Sequence, residues 1–477
     1  MVLNSARYLL FLALVALVYW LLPRPAWRKA WLLLASYVFY LTFDARFALL
    51  LLALSAAVWA LGQGIARGVA PRRLAWASVA LNLGVLAVFK YLGFFVASAQ
   101  ALFERAGAGS VAPALALLLP VGISFYTFQG IAYTTEIYRG KLHAAGWLDL
   151  ALYLAFFPKL IAGPLTRPQD FFRQTAAPAA RPNPADVSAA LGLLLLGLVK
   201  KVLIADSLAS LADTAFRAAS LASGAHFAMP LYLQGFYLYA FEIYADFSGY
   251  TDLARGSAAL LGLALPENFR QPYFAATIGD FWNRWHMSLT AWFREYLFFP
   301  LSRWLLTRFG RAHAERAQVV ANLVTMLLIG LWHGAAWTFV LWGLWHGVLL
   351  TLERLARFKP QGRWPRLAAG LVTFHLVALG WVLFRADSLA AAARFVAGLF
   401  SFQQMQWLGY YAPSVLLVAV LVLGIDALAA SRSARLSPWW PRLRPVAITA
   451  SVVLLIALGL LSYARGGEVR PFIYGQF

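Results

Sequence analysis

Three of the seven histidines follow a tryptophan directly, and this spacing indicates proton chemistry in an apolar setting. They are His286, His333 and His346, and glycine follows the last two. Chemistry at a hydroxyl group needs a base that removes the hydroxyl proton. Histidine suits this role because its ordinary pKa is about 6.5. Burial among tryptophans favours the neutral ring, which is the form that accepts a proton.

Each of these histidines also has a plainer interpretation, as a helix-packing residue that hydrogen-bonds to a neighbouring helix. His346 is a weaker candidate than His333 because it lies 13 residues further on. On one continuous helix, at about 100° per residue, it would occupy nearly the opposite face. The remaining histidines are interpreted as packing, loop or interface residues: His143, His226, His313 and His375.

The sequence lacks the residues and motifs that several other catalytic chemistries require. There is no cysteine, which excludes thiol catalysis, disulfides and thiolate metal sites. The Gly-x-Ser-x-Gly, His-Glu-x-x-His and P-loop patterns do not occur. We therefore expect no metal site and no bound cofactor.

A group of acids lies in an otherwise apolar stretch near the middle of the chain. Glu242 and Asp246 are four residues apart and would share a helix face. Two interpretations remain open: a wet functional cavity, or a helix end at the membrane interface with Asp252 paired to Arg255. The candidates for a substrate channel are Asp246, Ser248, Tyr250, Asp252, Asn283, Trp285 and Trp332.

The amino-acid composition indicates whether these residues lie in water or in a membrane. The chain is 62% hydrophobic and 12% charged, with a mean hydropathy of +0.69, whereas ordinary globular domains are about 25% charged. It is therefore an integral membrane protein, and we interpret its first apolar stretch as a retained span. Segments of about the length that crosses a bilayer occur at roughly 5–22, 29–43, 47–66, 74–103, 113–135, 148–163, 187–205, 229–247, 290–306, 317–335, 336–355, 367–385, 412–430 and 445–464.

Local patterns add four structural predictions. Prolines and glycines predict broken or re-entrant elements around Pro164 and Gly249. Apolar residues at every fourth position from Gly279 to Leu289 predict a helix in the membrane interface, with His286 near the headgroups. Lys200 and Lys201 are interpreted as an interfacial anchor. We also expect a water-accessible cavity that reaches His333.

The net charge of +21 is distributed as membrane topology requires, which argues against a nucleic-acid partner. Basic loops alternate with nearly balanced loops, and the positive-inside rule places the basic ones in the cytoplasm. The N-terminus, and with it the C-terminus, would then lie outside the cytoplasm. The basic loops contain Arg24, Arg28, Lys29, Arg67, Arg72, Arg73, Arg354, Arg357, Lys359, Arg363, Arg366, Arg432, Arg435, Arg442 and Arg444.

Seven motifs occur in order over nearly the whole chain. They are Pro120-Val121-Gly122-Ile123-Ser124-Phe125-Tyr126-Thr127-Phe128-Gln129, Phe156-Phe157-Pro158-Lys159-Leu160-Ile161-Ala162-Gly163-Pro164, Asp246-Phe247-Ser248-Gly249-Tyr250-Thr251-Asp252, Pro266-Glu267-Asn268-Phe269, Phe281-Trp282-Asn283-Arg284-Trp285-His286, Leu331-Trp332-His333-Gly334 and Pro471-Phe472-Ile473-Tyr474. Together they resemble the membrane-bound O-acyltransferase family, in particular its bacterial alginate O-acetyltransferase branch.

This resemblance implies an all-α polytopic fold with roughly 11–14 membrane segments, some broken or re-entrant, around a central funnel. It also implies three parts: N-terminal transmembrane helices at 1–112, a catalytic core at 113–355 and C-terminal transmembrane helices at 356–477. The chain departs from the family pattern at 301–306, where relatives often have a Gly-Gly-Asn and basic loop.

The resemblance implies a function as well. His333 corresponds to the essential catalytic histidine of the family, and His286 to a second functional histidine. The donor would be a cytoplasmic thioester such as acetyl-CoA or an acylated carrier protein. The acceptor would be hydroxyls of an extracytoplasmic polysaccharide, reached with or through an SGNH-type partner transferase, at the bacterial inner membrane.

Two other classes of function remain in view. A polytopic transporter or flippase of a cell-envelope glycan would use Glu242, Asp246 and Asp252 as coupling sites. A non-catalytic scaffold of an envelope assembly would leave the repeated Trp-His pairs without an explanation.

Overall fold

The computed structural model describes residues 1–107, 118–221, 229–402, 405–435 and 472–473. Over these ranges the chain forms helices and loops, with no β-strand, which confirms the predicted all-α class. The described residues fall into two compact units. The first contains Met1–Leu196, Tyr250–Pro266 and residues 472–473, and the second contains Gly197–Gly249 and residues 267–435. The three-part division of the chain by role stays a prediction.

The first unit contains the N-terminal series of helices. They are α1 (Ala6–Leu21), α2 (Pro25–Leu41), α3 (Ala45–Ala66), α4 (Pro71–Leu86), α5 (Leu92–Arg105), α6 (Ile123–Tyr138), α7 (Trp147–Ala155), α8 (Phe157–Leu160), α9 (Pro168–Ala176) and α10 (Pro184–Leu198).

The second unit holds most of the remaining helices, and the end of α12 from Tyr250 onward belongs to the first unit. These helices are α11 (Asp206–Ser220), α12 (Met229–Leu260), α13 (Ile278–Trp282), α14 (Met287–Phe293), α15 (Phe299–Phe309), α16 (Ala314–His333), α17 (Trp337–Leu355), α18 (Arg363–Arg385), α19 (Leu389–Leu399) and α20 (Leu408–Arg435). Single π-helical turns at Ala87–Tyr91, Val199–Ala205 and Arg294–Phe298 join α4 to α5, α10 to α11 and α14 to α15.

Several described helices are long and apolar enough to cross a bilayer. Five meet both criteria: Ala45–Ala66, Pro71–Arg105, Asp186–Ser220, Ala314–His333 and Arg363–Arg385. The shorter helix α1 also has an apolar outer face. Its exposed stripe consists of Leu10, Leu14, Leu17 and Leu21. Water would disfavour such a stripe and lipid would not. The chain is therefore a polytopic membrane protein, and the predicted count of spans stays a prediction.

The predicted break near Pro164 is confirmed. Helix α7 ends at Ala155, the short α8 follows, and residues 161–167 run without helix. Side chains satisfy the backbone groups that the break exposes: Ser36 Oγ accepts from the Phe157 N–H at 3.1 Å, and Tyr153 Oη donates to the Thr166 carbonyl at 2.8 Å. Such pairing is what permits irregular backbone inside a membrane protein.

The predicted break at Gly249 is wrong, because α12 runs unbroken from Met229 to Leu260. A Cβ atom at Gly249 would lie 3.0 Å from the Gly197 carbonyl oxygen and 3.1 Å from Lys200 Cβ. This glycine therefore permits close packing against the end of α10 and the π-helical turn that follows it. The predicted span at 445–464 and His226 lie outside the described residues.

Candidate active site

The candidate site lies in the second unit, on a tight hairpin formed by α16 and α17. A Cβ atom at Gly330 would lie 2.2 Å from the Phe339 carbonyl oxygen, and one at Gly343 would lie 2.3 Å from the Met326 carbonyl oxygen. Only glycine allows the two helix backbones to approach this closely. The hairpin fixes His333, the last residue of α16, against the first turns of α17.

Packing also explains the glycine after each of two histidines. A Cβ atom at Gly334 would lie 2.1 Å from the Phe339 ring, at the turn between the helices. At Gly347 it would lie 3.2 Å from Met326 Cβ, inside the hairpin contact. In the two Trp-His-Gly sequences the glycine therefore permits close packing at two positions, at the turn of the hairpin and between its two helices.

His333 is enclosed by aromatic rings and is only 3% exposed. Its ring centroid lies 4.8 Å from that of Trp332, 5.0 Å from that of Trp342 and 5.3 Å from that of Phe384. These rings come from α16, α17 and α18. An imidazole held by three helices has a fixed orientation, which proton transfer to a bound substrate requires.

His286 lies at a sharp turn and not within one helix. The predicted interface helix from Gly279 to Leu289 is wrong, because α13 ends at Trp282 and α14 begins at Met287. His286 has φ +43° and ψ +51°, the left-handed region that is unfavourable for most side chains. Residues held in such conformations cluster at functional sites.

Asn268 holds this turn in place. Its carbonyl oxygen accepts from the Met287 N–H at 3.0 Å, and its side-chain oxygen accepts from the Ser288 N–H at 3.1 Å. Both donors are N–H groups at the start of α14, which has no intrahelical partners for them. In the sequence Asn268 is one residue of a motif, and because it lies 20 residues before Ser288 no local pattern indicates this positioning role.

His286 is fully buried and does not lie at an exposed surface. Its ring is 4.7 Å from the Phe247 ring and 6.2 Å from the Trp332 ring. Burial lowers the pKa of His286 to about 3, so its ring is neutral at physiological pH. Trp332 therefore contacts both predicted catalytic histidines, His286 on one side and His333 on the other.

The prediction that His346 lies on nearly the opposite face of one continuous helix from His333 is wrong, because the chain reverses at residues 334–336 and the two residues lie on antiparallel helices. The Trp342 ring is 5.0 Å from both imidazole rings. His346 is fully buried, and neither ring nitrogen has a hydrogen-bond partner among the described residues. The three Trp-linked histidines thus form one buried series with Trp332 and Trp342 between them.

The structure brings together only some of the channel candidates. Trp285 is buried beside this series, with its ring 4.8 Å from that of Trp381. Asn283 is exposed and accepts a hydrogen bond from Arg294 at 2.9 Å, so it lies outside the buried series. Tyr250 and Asp252 belong to the first unit. There, Tyr250 Oη accepts from the Ala162 N–H at 3.1 Å, and Asp252 lies 3.9 Å from Arg255.

Asp246 belongs to a buried ion cluster of the second unit. Lys201 Nζ lies 2.7 Å from an Asp246 carboxylate oxygen and 2.9 Å from one of Asp206. The interpretation of Lys201 as an interfacial anchor is therefore wrong, since its side chain is 2% exposed. Removing one partner of such a buried pair is costly because it leaves the other charge uncompensated.

Two further polar residues of α12 are buried in the second unit. Glu242 lies one turn before Asp246, and the Ser248 hydroxyl has no hydrogen-bond partner among the described residues. Whether these groups line a channel stays a prediction.

The described residues place these buried histidines in an all-helical membrane protein, and comparison with known proteins identifies its class. The model of the membrane-bound O-acyltransferase family matches residues 27–366, so the chain belongs to that family.

Among known relatives, the chain is 40% identical to "Probable alginate O-acetylase AlgI" of Azotobacter vinelandii over 84% of this chain and 78% of the relative. It is 37% identical to the protein of the same name in Pseudomonas aeruginosa, over 85% and 76%. It is 33% identical to "Peptidoglycan O-acetyltransferase" of Helicobacter pylori, over 79% and 74%. The resemblance predicted from the motifs is confirmed, and the protein is an O-acyltransferase.

Proposed function

We propose that this enzyme moves an acetyl group from a cytoplasmic thioester donor across the membrane to hydroxyls of an extracytoplasmic polysaccharide. The names of the relatives support O-acetylation of alginate or peptidoglycan. The observation that carries the proposal is the buried series of histidines on either side of Trp332, where imidazoles are held without bulk water.

In the proposed reaction His333 is the general base. It takes the proton of the acceptor hydroxyl while that oxygen attacks the thioester carbonyl carbon. The new C–O bond forms, the C–S bond breaks, and the proton passes from His333 to the departing sulfur. The reaction consumes no other reagent.

We assign His286 a different role, because its lowered pKa makes it a poor proton acceptor. A neutral imidazole still donates one hydrogen bond. Directed at the carbonyl oxygen, that bond would stabilise the negative charge that develops during attack. The left-handed turn held by Asn268 would fix its direction.

The proposed setting follows from the loop charges. With the basic loops in the cytoplasm the N-terminus would lie outside, and the family resemblance implies the bacterial inner membrane. The acyl group would pass to the polysaccharide directly or through an extracytoplasmic SGNH-type transferase.

Mass spectrometry of envelope glycans tests the proposed function. We expect acetyl esters on a glycan in a strain that expresses the enzyme, and their loss in a strain that lacks it. Complementation by the wild-type chain should restore them. An unchanged ester content, with a changed amount of exported glycan, would contradict acyl transfer and favour the transporter hypothesis.

A further inference from the structure

An apolar groove lies between α12, α18 and α20, and all of its lining residues belong to the second unit. Its volume is about 630 Å³. Three apolar residues that line it, Phe274, Leu371 and Leu416, are each more than half exposed, so the groove is open along its length. Helix α18 is long and apolar enough to cross a bilayer, so this opening faces lipid. We call this feature the α18 groove.

A polar pair inside the α18 groove uses its hydrogen bonds within the protein. His375 Nδ1 lies 2.7 Å from the Leu371 carbonyl oxygen, and His375 Nε2 lies 3.0 Å from Tyr237 Oη. A carbonyl oxygen only accepts, so in the neutral ring Nδ1 carries the proton and the Tyr237 hydroxyl donates to Nε2. Both ring nitrogens are therefore satisfied, and hydrocarbon can contact the pair without leaving either nitrogen unpaired.

One charged residue of the groove has no such partner. Gln234 Nε2 donates to Ser414 Oγ at 3.0 Å, and the Tyr273 hydroxyl donates to the Ala240 carbonyl. Arg366 also lines the groove, but its exposed side chain forms no ion pair or hydrogen bond with the residues that the structure describes. The groove thus offers apolar contact along its length and one positive charge, which suits an amphiphile with an anionic head.

The start of α18 indicates the depth at which this charge lies. Trp364, in the first turn, is 71% exposed, and the Arg363 guanidinium lies 5.5 Å from its ring centroid. Exposed tryptophan and arginine at the end of a spanning helix are typical of the headgroup level. The nine residues from Arg366 to His375 span about 14 Å at 1.5 Å per residue, close to half of a hydrocarbon core of about 30 Å. One acyl chain would therefore extend from Arg366 to the depth of His375.

We propose that the α18 groove binds an anionic phospholipid, with the lipid phosphate on Arg366 and an acyl chain along α18 toward His375. Arginine pairs with phosphate oxygens through two parallel N–H groups. A zwitterionic lipid brings its own cation, which competes with Arg366 for the phosphate. The site therefore selects phosphatidylglycerol over phosphatidylcholine. Lipid binding at this groove requires no acyl transfer, so the inference goes beyond the proposed function.

Native mass spectrometry of the full chain, released from nanodiscs with equal amounts of phosphatidylglycerol and phosphatidylcholine, tests the headgroup assignment. We expect the wild type to retain phosphatidylglycerol in about 10-fold preference, and Arg366→Gln to lose that preference, because the charged donor is removed. Arg308→Gln is the matched control, since Arg308 is exposed at the end of α15 and does not line the groove. An equal preference in the wild type and Arg366→Gln would contradict the assignment.

Gly370→Leu tests the groove itself. Gly370 lines the groove, and the one atom within 4 Å of a new Cβ is the Ala275 carbonyl oxygen at 3.6 Å, an ordinary contact. Leucine should therefore fit the backbone and fill space that the acyl chain needs, so retention of both lipids should fall. Gly84→Leu is the control, because a Cβ at Gly84 in α4 meets no atom within 4 Å and lies away from this groove. Equal lipid retention in the two leucine variants would reject the groove as the binding site.

Thermal midpoints separate a ligand role of Arg366 from a structural one. In lipid-free detergent, Arg366→Gln should unfold at the wild-type temperature. Added phosphatidylglycerol should raise the midpoint of the wild type and of Arg308→Gln more than that of Arg366→Gln, because a ligand that binds only the folded state stabilises it. A lower midpoint for Arg366→Gln without lipid, and equal shifts with it, would make the arginine structural and overturn the proposal. A dimer in the mass spectrum that is lost in Gly370→Leu would show that a second copy of the chain covers the groove, and would reject the lipid.

Discussion

His286 has two energetically unfavourable features, a left-handed backbone conformation and a fully buried polar ring. Asparagine tolerates the left-handed region better than most residues and keeps a neutral hydrogen-bond donor. We expect His286→Ala to lower the rate of acyl transfer about 100-fold, the usual effect of removing one oxyanion donor. His286→Asn should retain more activity, because it preserves both the turn and a donor. Initial rates of ester formation give the comparison, and equal losses in the two variants would contradict the donor role.

The neutral state of His286 has a consequence for stability. Burial lowers its pKa from 6.5 to about 3. Below pH 6.5 the unfolded chain therefore binds a proton that the folded protein does not. The stability from this residue is complete above pH 6.5 and is lost as the pH falls toward 3.

The size of this effect is limited to about 1.4 kcal/mol per pH unit. We expect the thermal midpoint in detergent to fall between about pH 6.5 and 4.5, and to fall less in His286→Asn, which has no imidazole to titrate. Differential scanning fluorimetry provides the measurement. Parallel pH profiles for the two proteins would show that His286 is not the group responsible.

The α16–α17 hairpin positions the candidate site, and its glycines allow the two helix backbones to pack closely. In Gly343→Ala the new methyl would lie 2.3 Å from the Met326 carbonyl oxygen, a backbone atom that cannot move aside alone. We expect a destabilisation of about 1–3 kcal/mol and a lower rate. Gly84→Ala is the matched control. Gly84 lies in α4 with no atom within 4 Å of a new Cβ, so alanine should stabilise by about 0.5–1 kcal/mol. Thermal midpoints that shift in the same direction would contradict the packing argument.

The hydropathy pattern predicted where most helices lie. Contacts between residues far apart in sequence determine where helices break and which buried charges pair. The pattern at Gly279–Leu289 has helical spacing, but Asn268 offers the Met287 and Ser288 N–H groups better acceptors, and the helix divides. The pair formed by Lys201 and Asp246 joins residues 45 apart in sequence, which no local pattern reveals. His333 was predicted from its motif, whereas the link to His346 required the reversal at residues 334–336.

We infer the orientation of the protein across the membrane from the charges of its loops. The loop at Asp44 is neutralised locally, since Arg46 pairs with that carboxylate at 2.6 Å. The loops at Arg73 and Lys359 have no comparable compensation in the sequence. We expect reporter fusions at Arg73, Lys359 and Arg435 to indicate cytoplasm, and fusions near Asp44 and Asp387 to indicate the outside. Reversed signals at most of these positions would reject the orientation.

His333→Gln tests the central claim most directly. Glutamine keeps much of the size and a hydrogen bond but cannot accept a proton at neutral pH. His375→Gln is the matched control, because His375 is exposed and bonds Tyr237 at 3.0 Å, outside the buried series. In a strain with no second copy of the enzyme, we predict that His333→Gln inserts normally and lowers glycan acylation about 100- to 10,000-fold. His375→Gln should stay within a few-fold of wild type. Wild-type acylation in His333→Gln would contradict its assignment as the base.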